Sequence, residues 1–135
     1  LDFLKIDTQG SELEILKGLG DYRPLIIKVE AQVVPMYEGV PSWSELMNYL
    51  YNINYMTSEW IPIGPHLTRS PTDMDMIFIP NYLNDLGRKL IIEKEKEFTS
   101  LMLMFGHIKL LQVISEKLNF STNLELQKIK DKFFH

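Results

Sequence analysis

Two apolar runs in this chain end on carboxylates. "FLKID", residues 3 to 7, closes on Asp7, and "LIIKVEAQ", which begins at Leu25, carries Glu30 near its end. A carboxylate at the mouth of a buried segment can take a proton from a substrate hydroxyl, and two of them together can hold a divalent cation. No third ligand stands in the pattern, so no metal site is expected. Lys5 lies two residues before Asp7 and shares its face in an extended segment. It is expected either to touch substrate or to form an ion pair with Glu30. A second duty is open to Asp7, which could instead satisfy N–H groups of the turn at residues 9–11. Two loops add candidates for substrate contact: Tyr37 and Glu38 in "VPMYEGVP", and His66 and Arg69 in "PIGPHLTRSP". The Arg69 guanidinium suits a carboxylate or phosphate on a substrate.

The elements that must position these residues follow from period and punctuation. "DFLKID" has strand length and stops at the Gln9-Gly10 turn. Ser11 with Glu14 makes the S-x-x-E capping pattern, and Leu13, Leu16 and Leu19 recur at helical spacing behind it. Gly18 or Gly20 ends that helix. "LIIKVEAQ" is apolar enough for a parallel strand covered on both faces. Ser42 caps "SWSELMNYLYN", "INYMTSEWI" reads as a strand, and "MDMIFIP" is a further strand stopped by Pro80. Alternating strands and helices in this order predict α/β architecture.

After about Asn84 the sequence is dominated by helix formers. Phe98, Leu101, Phe105, Ile108 and Leu111 form one apolar stripe on a long helical extension, with bends expected at Gly87 and Gly106. "NLELQKIKDKFF" reads as a further short amphipathic helix. Composition limits the rest. A formal charge of −4 on 135 residues supplies no basic field for nucleic acid. Cysteine is absent, which removes disulfides and thiolate chemistry and suits a reducing cytoplasm. The longest apolar run, "LMLMF", is far too short to span a membrane.

The segments "LKIDTQGSELEILKGL", "LIIKVEAQ" and "YEGVPSWSELMNYL" together resemble the FkbM-type methyltransferase family, over residues 1 to about 80. The resemblance implies methyl transfer from S-adenosylmethionine to a hydroxyl of a sugar or natural product. It also implies a class I (Rossmann-like) sheet ordered 3-2-1-4-5-7-6. On that order residues 2–7 are strand 4, 25–31 strand 5, 53–61 strand 6, and 74–80 the antiparallel strand 7. Strands 1 to 3 have no counterpart, nor does the glycine-rich turn that holds the cofactor. Gly18-Leu19-Gly20 follows a helix and is a helix stop rather than a nucleotide loop. The expectation is therefore the C-terminal half of a methyltransferase domain in residues 1–80 and a helical extension in 81–135, the piece alone binding the cofactor weakly and turning nothing over.

Ligands of open α/β sheets bind beyond the strands' carboxyl ends, at the topological switch point. The resemblance places that point beside strand 4. It implies Asp7 and Glu30 as the catalytic pair, Asp7 and Gln9 against the cofactor, and Lys5, Tyr37, His66 and Arg69 against a small hydroxyl-bearing acceptor. A different class of function is also compatible with the sequence. The apolar edge of the first strand or the Phe98–Leu111 stripe would pair with another copy, making the chain a homo-oligomer and, in the extreme, a non-catalytic assembly module.

Overall fold

Each apolar run read as extended forms a strand, and period-two burial sorts its side chains onto two faces. The computed structural model describes residues 2–8, 10–32, 42–63 and 73–120. Gln9, Tyr37, Glu38, His66, Arg69 and the "NLELQKIKDKFF" segment lie outside the described residues. The element order is β1 (Phe3–Ile6), α1 (Glu12–Gly18), β2 (Ile26–Gln32), α2 (Trp43–Asn52), β3 (Tyr55–Ile63), β4 (Asp73–Pro80), α3 (Asp85–Glu93), α4 (Glu95–Met104) and α5 (Ile108–Leu118). The chain divides into two units, Leu1–Asn81 and Tyr82–His135.

The first unit is a four-stranded mixed sheet in the order β1-β2-β4-β3. β1 and β2 are parallel, whereas β4 runs antiparallel to both of its neighbours, β2 and β3. On one face Ile6, Ile27, Val29, Ala31, Met76 and Phe78 pack with Leu16 of α1 and with Leu46 and Leu50 of α2. The opposite face is apolar along its middle, where Ile26, Ile77 and Ile79 are buried. It turns charged at the end where β1 and β2 finish. Burial on both faces explains why "LIIKVEAQ" lacks the alternation of a half-exposed strand.

Local chemistry accounts for most of the element ends. Ser42 caps α2 by accepting from the Glu45 N–H at 3.3 Å. α1 stops at Gly20, whose φ of +57° is open to glycine at little cost. The Ser11–Glu14 capping box does not form: the Ser11 side chain makes no cap hydrogen bond. Instead Glu12, buried at the first turn, accepts the Gly10 N–H on both carboxylate oxygens at 3.1 and 3.3 Å. That carboxylate also faces the positive end of the helix.

The second unit corrects the expectation of one long helix. Three helices occupy residues 85–118, broken at Lys94 and at Phe105–His107. Gly87 is not a bend; it is buried in the first turn of α3, where its N–H donates to the Asn84 side chain at 2.8 Å. Gly106 is one, with φ of +73°. The break at Lys94 lies in "EKEKE", which contains neither glycine nor proline, so no local residue announces it. Asn119 ends α5 in the left-handed conformation, a position asparagine tolerates well. Phe98 and Leu111, the ends of the expected stripe, are fully buried within the chain itself, and Phe98 meets Phe120 edge-on at 6.4 Å. Those two side chains therefore cannot face a second copy. No helix among the described residues is long and apolar enough to cross a membrane.

One buried hydrogen bond ties β3 to the chain ahead of β2. The Tyr55 hydroxyl donates to the Pro24 carbonyl at 2.5 Å, and burial pushes its pKa well up. Tyr55→Phe should cost about 1–3 kcal/mol in urea unfolding, because the carbonyl is left without its donor. The sign with pH follows from linkage. A proton held more tightly in the folded than in the unfolded state stabilises fully below the unfolded pKa of about 10, and that contribution is lost as pH rises beyond it. The Phe variant should lose this part of the alkaline sensitivity.

Candidate active site

β1 and β2 end side by side, and β4 begins where they end. The rim so formed holds a small cleft of about 100 Å³, lined by Lys5, Ile6, Asp7, Lys28, Glu30 and Asp75. Three of the residues expected at a site thus come together here: Lys5, Asp7 and Glu30. Gln9, Tyr37, His66 and Arg69 lie outside the described residues.

Register explains the cleft's charge pattern. Lys5 is the Cα partner of Lys28 across the parallel pair, and Glu30 is the partner of Asp75 across the antiparallel pair. Two lysines therefore lie side by side in one row, and two carboxylates in the next. Extending the β1–β2 register by one residue brings Asp7 into the carboxylate row. Like charges directly opposite on neighbouring strands are destabilising. The repulsion is offset on the diagonal, where Lys28 Nζ lies 3.8 Å from Asp75 Oδ2, both side chains about a quarter exposed. A pair that wet is worth at most about 1 kcal/mol.

The duties of the acids at the turn also separate. Glu12 takes the Gly10 N–H, so that donor does not depend on Asp7. Asp7 is exposed, and no hydrogen bond or ion pair ties its carboxylate to another described residue. Thr8 beside it has a buried hydroxyl without a hydrogen-bond partner among the described residues. No group of three or more potential metal ligands occurs among the described residues.

Sequence reasoning missed Lys28 and Asp75. Lys28 was within reach, because it precedes Glu30 by two residues just as Lys5 precedes Asp7. Asp75 follows from the antiparallel direction expected for residues 74–80, which brings the start of that strand to the carboxyl rim, but its place opposite Glu30 depends on the cross-strand register. The matching of this chain to known proteins bears on the same residues. Residues 1–57 match the methyltransferase FkbM domain. The matched segment takes in β1, α1, β2, α2 and the start of β3, and with them Lys5, Asp7, Lys28 and Glu30. It ends short of the expected residue 80, leaving β4 and Asp75 outside. No curated protein and no solved structure matches the chain.

Different costs are expected for the two acids at the turn. Asp7→Asn should change unfolding stability by less than about 0.5 kcal/mol, as at other surface positions without partners. Glu12→Ala should lose about 1–3 kcal/mol by stranding the Gly10 N–H. Chemical denaturation of both variants checks this; a large loss for Asp7→Asn would return that residue to a structural duty.

Proposed function

We propose that the sheet unit is the acceptor side of an S-adenosylmethionine-dependent methyltransferase acting on a hydroxyl of a small molecule, a sugar or natural product. The observation that carries the reading is the convergence of Asp7, Glu30 and Lys5 in one cleft beyond the carboxyl ends of two parallel strands, inside the segment that matches a methyltransferase domain. The order β1-β2-β4-β3, with β4 alone reversed, supports reading these strands as 4, 5, 7 and 6 of a class I sheet. On that reading the outer edge of β1 pairs with strand 1, and the strands beyond it carry the cofactor-binding turn.

The cleft suits only the reacting end of the cofactor. About 100 Å³ accommodates a methyl group and a hydroxyl, whereas pockets for whole ligands run to roughly 300–1,000 Å³. Its carboxylates suit a neighbouring positive charge. When bound, the cofactor supplies a methyl group on a cationic sulfur. Asp7 would take the acceptor's hydroxyl proton and Glu30 would hold that hydroxyl in line, the transfer being balanced by loss of the cofactor's sulfur as a neutral thioether when its bond to the methyl carbon breaks. Lys5 meets an anionic or polar group on the acceptor, while Lys28 is held by Asp75. Proton removal by a placed carboxylate contributes about 10²–10⁴-fold, and alignment of the bound pair on the order of 10⁵ M in effective concentration.

The test requires the protein together with its cofactor-binding strands. Asp7→Asn there should lower kcat by about 10²–10⁴-fold while cofactor affinity, measured by calorimetry, stays within a few-fold. Unchanged turnover would remove Asp7 from the chemistry. The second reading, self-association, is favoured by one observation: β1 pairs only with β2 among the described strands. An unfilled edge of this kind recruits another chain. Sedimentation of the present chain at micromolar concentration should show a dimer on that reading, and a stable monomer would end it.

A further inference from the structure

The helix-covered face of the sheet holds a second and larger concavity. A groove of about 440 Å³ lies between α2 and β3, and Met47, Asn48, Tyr51, Thr57, Trp60 and Phe78 are among its lining residues. It is separate from the charged cleft. Met76 and Phe78 point to the helix-covered face, and Asp75, one residue away, points to the other.

A backbone irregularity builds this groove. β3 pairs Thr57 with Phe78 but Glu59 with Ile77, so Ser58 is an extra residue in the ladder. Strict alternation from Tyr55 and Thr57 would send Trp60 to the opposite face. The extra residue reverses the alternation, and Trp60 comes opposite Met76 on the same face as Tyr55 and Thr57. The Ser58 hydroxyl secures the irregularity by donating to the Ile77 carbonyl at 3.2 Å. The result places an indole 61% exposed and, from α2, the Tyr51 phenol 62% exposed at one concavity.

The lining specifies a ligand chemistry. In a chain where 24% of residues are charged, no charged side chain lines this groove among the described residues. An ionic ligand would lose hydration there and gain no partner. Aromatic rings and methionines supply broad, polarisable contact for a flat ring. The polar groups are few: the Asn48 amide, the Tyr51 hydroxyl, and the Thr57 hydroxyl, which is buried without a hydrogen-bond partner among the described residues. The Tyr55 hydroxyl is already committed to Pro24. The volume lies within the range of small-molecule sites.

We propose that the groove between α2 and β3 is a binding site for an uncharged, ring-containing small molecule bearing one polar group. Its ring lies against Trp60 and Tyr51, and its polar group meets the Asn48 amide. The site is independent of methyl transfer at the rim and stands or falls separately from it.

The chain has two tryptophans, Trp43 and Trp60, so its indole N–H signals in a proton–nitrogen NMR spectrum are two. Titration with 2-naphthol, neutral at pH 7, should shift the Trp60 indole and the Asn48 and Tyr51 amides saturably, with a Kd of about 1 mM or tighter. 2-Naphthoate, its anionic counterpart, should bind at least about tenfold more weakly, because it finds no cation. Trp60→Ala should weaken naphthol binding by about tenfold or more with an unchanged melting temperature, since the indole is mostly exposed. Asn48→Ala supplies a second variant on a different element and should also weaken it. Equal binding of the two naphthalenes, non-saturating shifts, or shifts centred on the rim residues would overturn the proposal. So would concentration-dependent dimerisation that Trp60→Ala abolishes, which would make the face a contact between copies.

Discussion

A strand running against its neighbours is the constraint on which the sheet unit depends. β4 lies between β2 and β3 and is antiparallel to both, so among the described strands β3 joins the sheet only through it. Reversal has a chemical consequence as well. A parallel strand in that position would bring Ile79 and Pro80 to the rim where β1 and β2 end. The antiparallel one brings Asp75 there instead, opposite Glu30 and diagonal to Lys28. The same strand gives β3 its partner and, through the extra residue at Ser58, determines which face receives Trp60.

The rim departs from the local rules that the rest of the sheet obeys. Elsewhere the strands bury isoleucine, valine, methionine and phenylalanine on both faces. At the rim, lysine is set beside lysine and carboxylate beside carboxylate. A fold under pressure for stability alone would place opposite charges in those positions, or apolar residues. Conflicts of this kind concentrate at functional sites, where the arrangement serves a ligand and stability is supplied by the surrounding core. Here that core is the cluster of Ile6, Ile27, Val29, Phe78, Leu46 and Leu50 directly behind the rim. Rigid backing of this type suits a site whose task is alignment.

The two turns near the site show how far local patterns reach. Both helices open on S-x-x-E. At Ser42, whose backbone is extended, the pattern forms its cap; at Ser11, whose backbone is not, the side chain makes no cap hydrogen bond. The two S-x-x-E segments are alike in their defining letters, and the backbone conformation at the serine separates them. In the second unit the helical residues were plain from composition, but the break at Lys94 has no glycine or proline to mark it. There the chain turns between the buried Ile91 and Phe98, and the side chains that must be buried, rather than the residue at the break, set the ends of the helices.

The amino-acid sequence by itself determined the strand and helix segments of the sheet unit, because apolar runs, period and turn residues act over a few positions. It also determined that Lys5 and Asp7 share a face and that Glu30 ends a neighbouring run. Only the tertiary structure decided that Asp75 stands opposite Glu30, that like charges stand in register, and that Trp60 faces the helices. Those outcomes depend on cross-strand register and on one extra residue in a ladder. Each is a relation between segments distant along the chain, and none is carried by the residues of either segment alone.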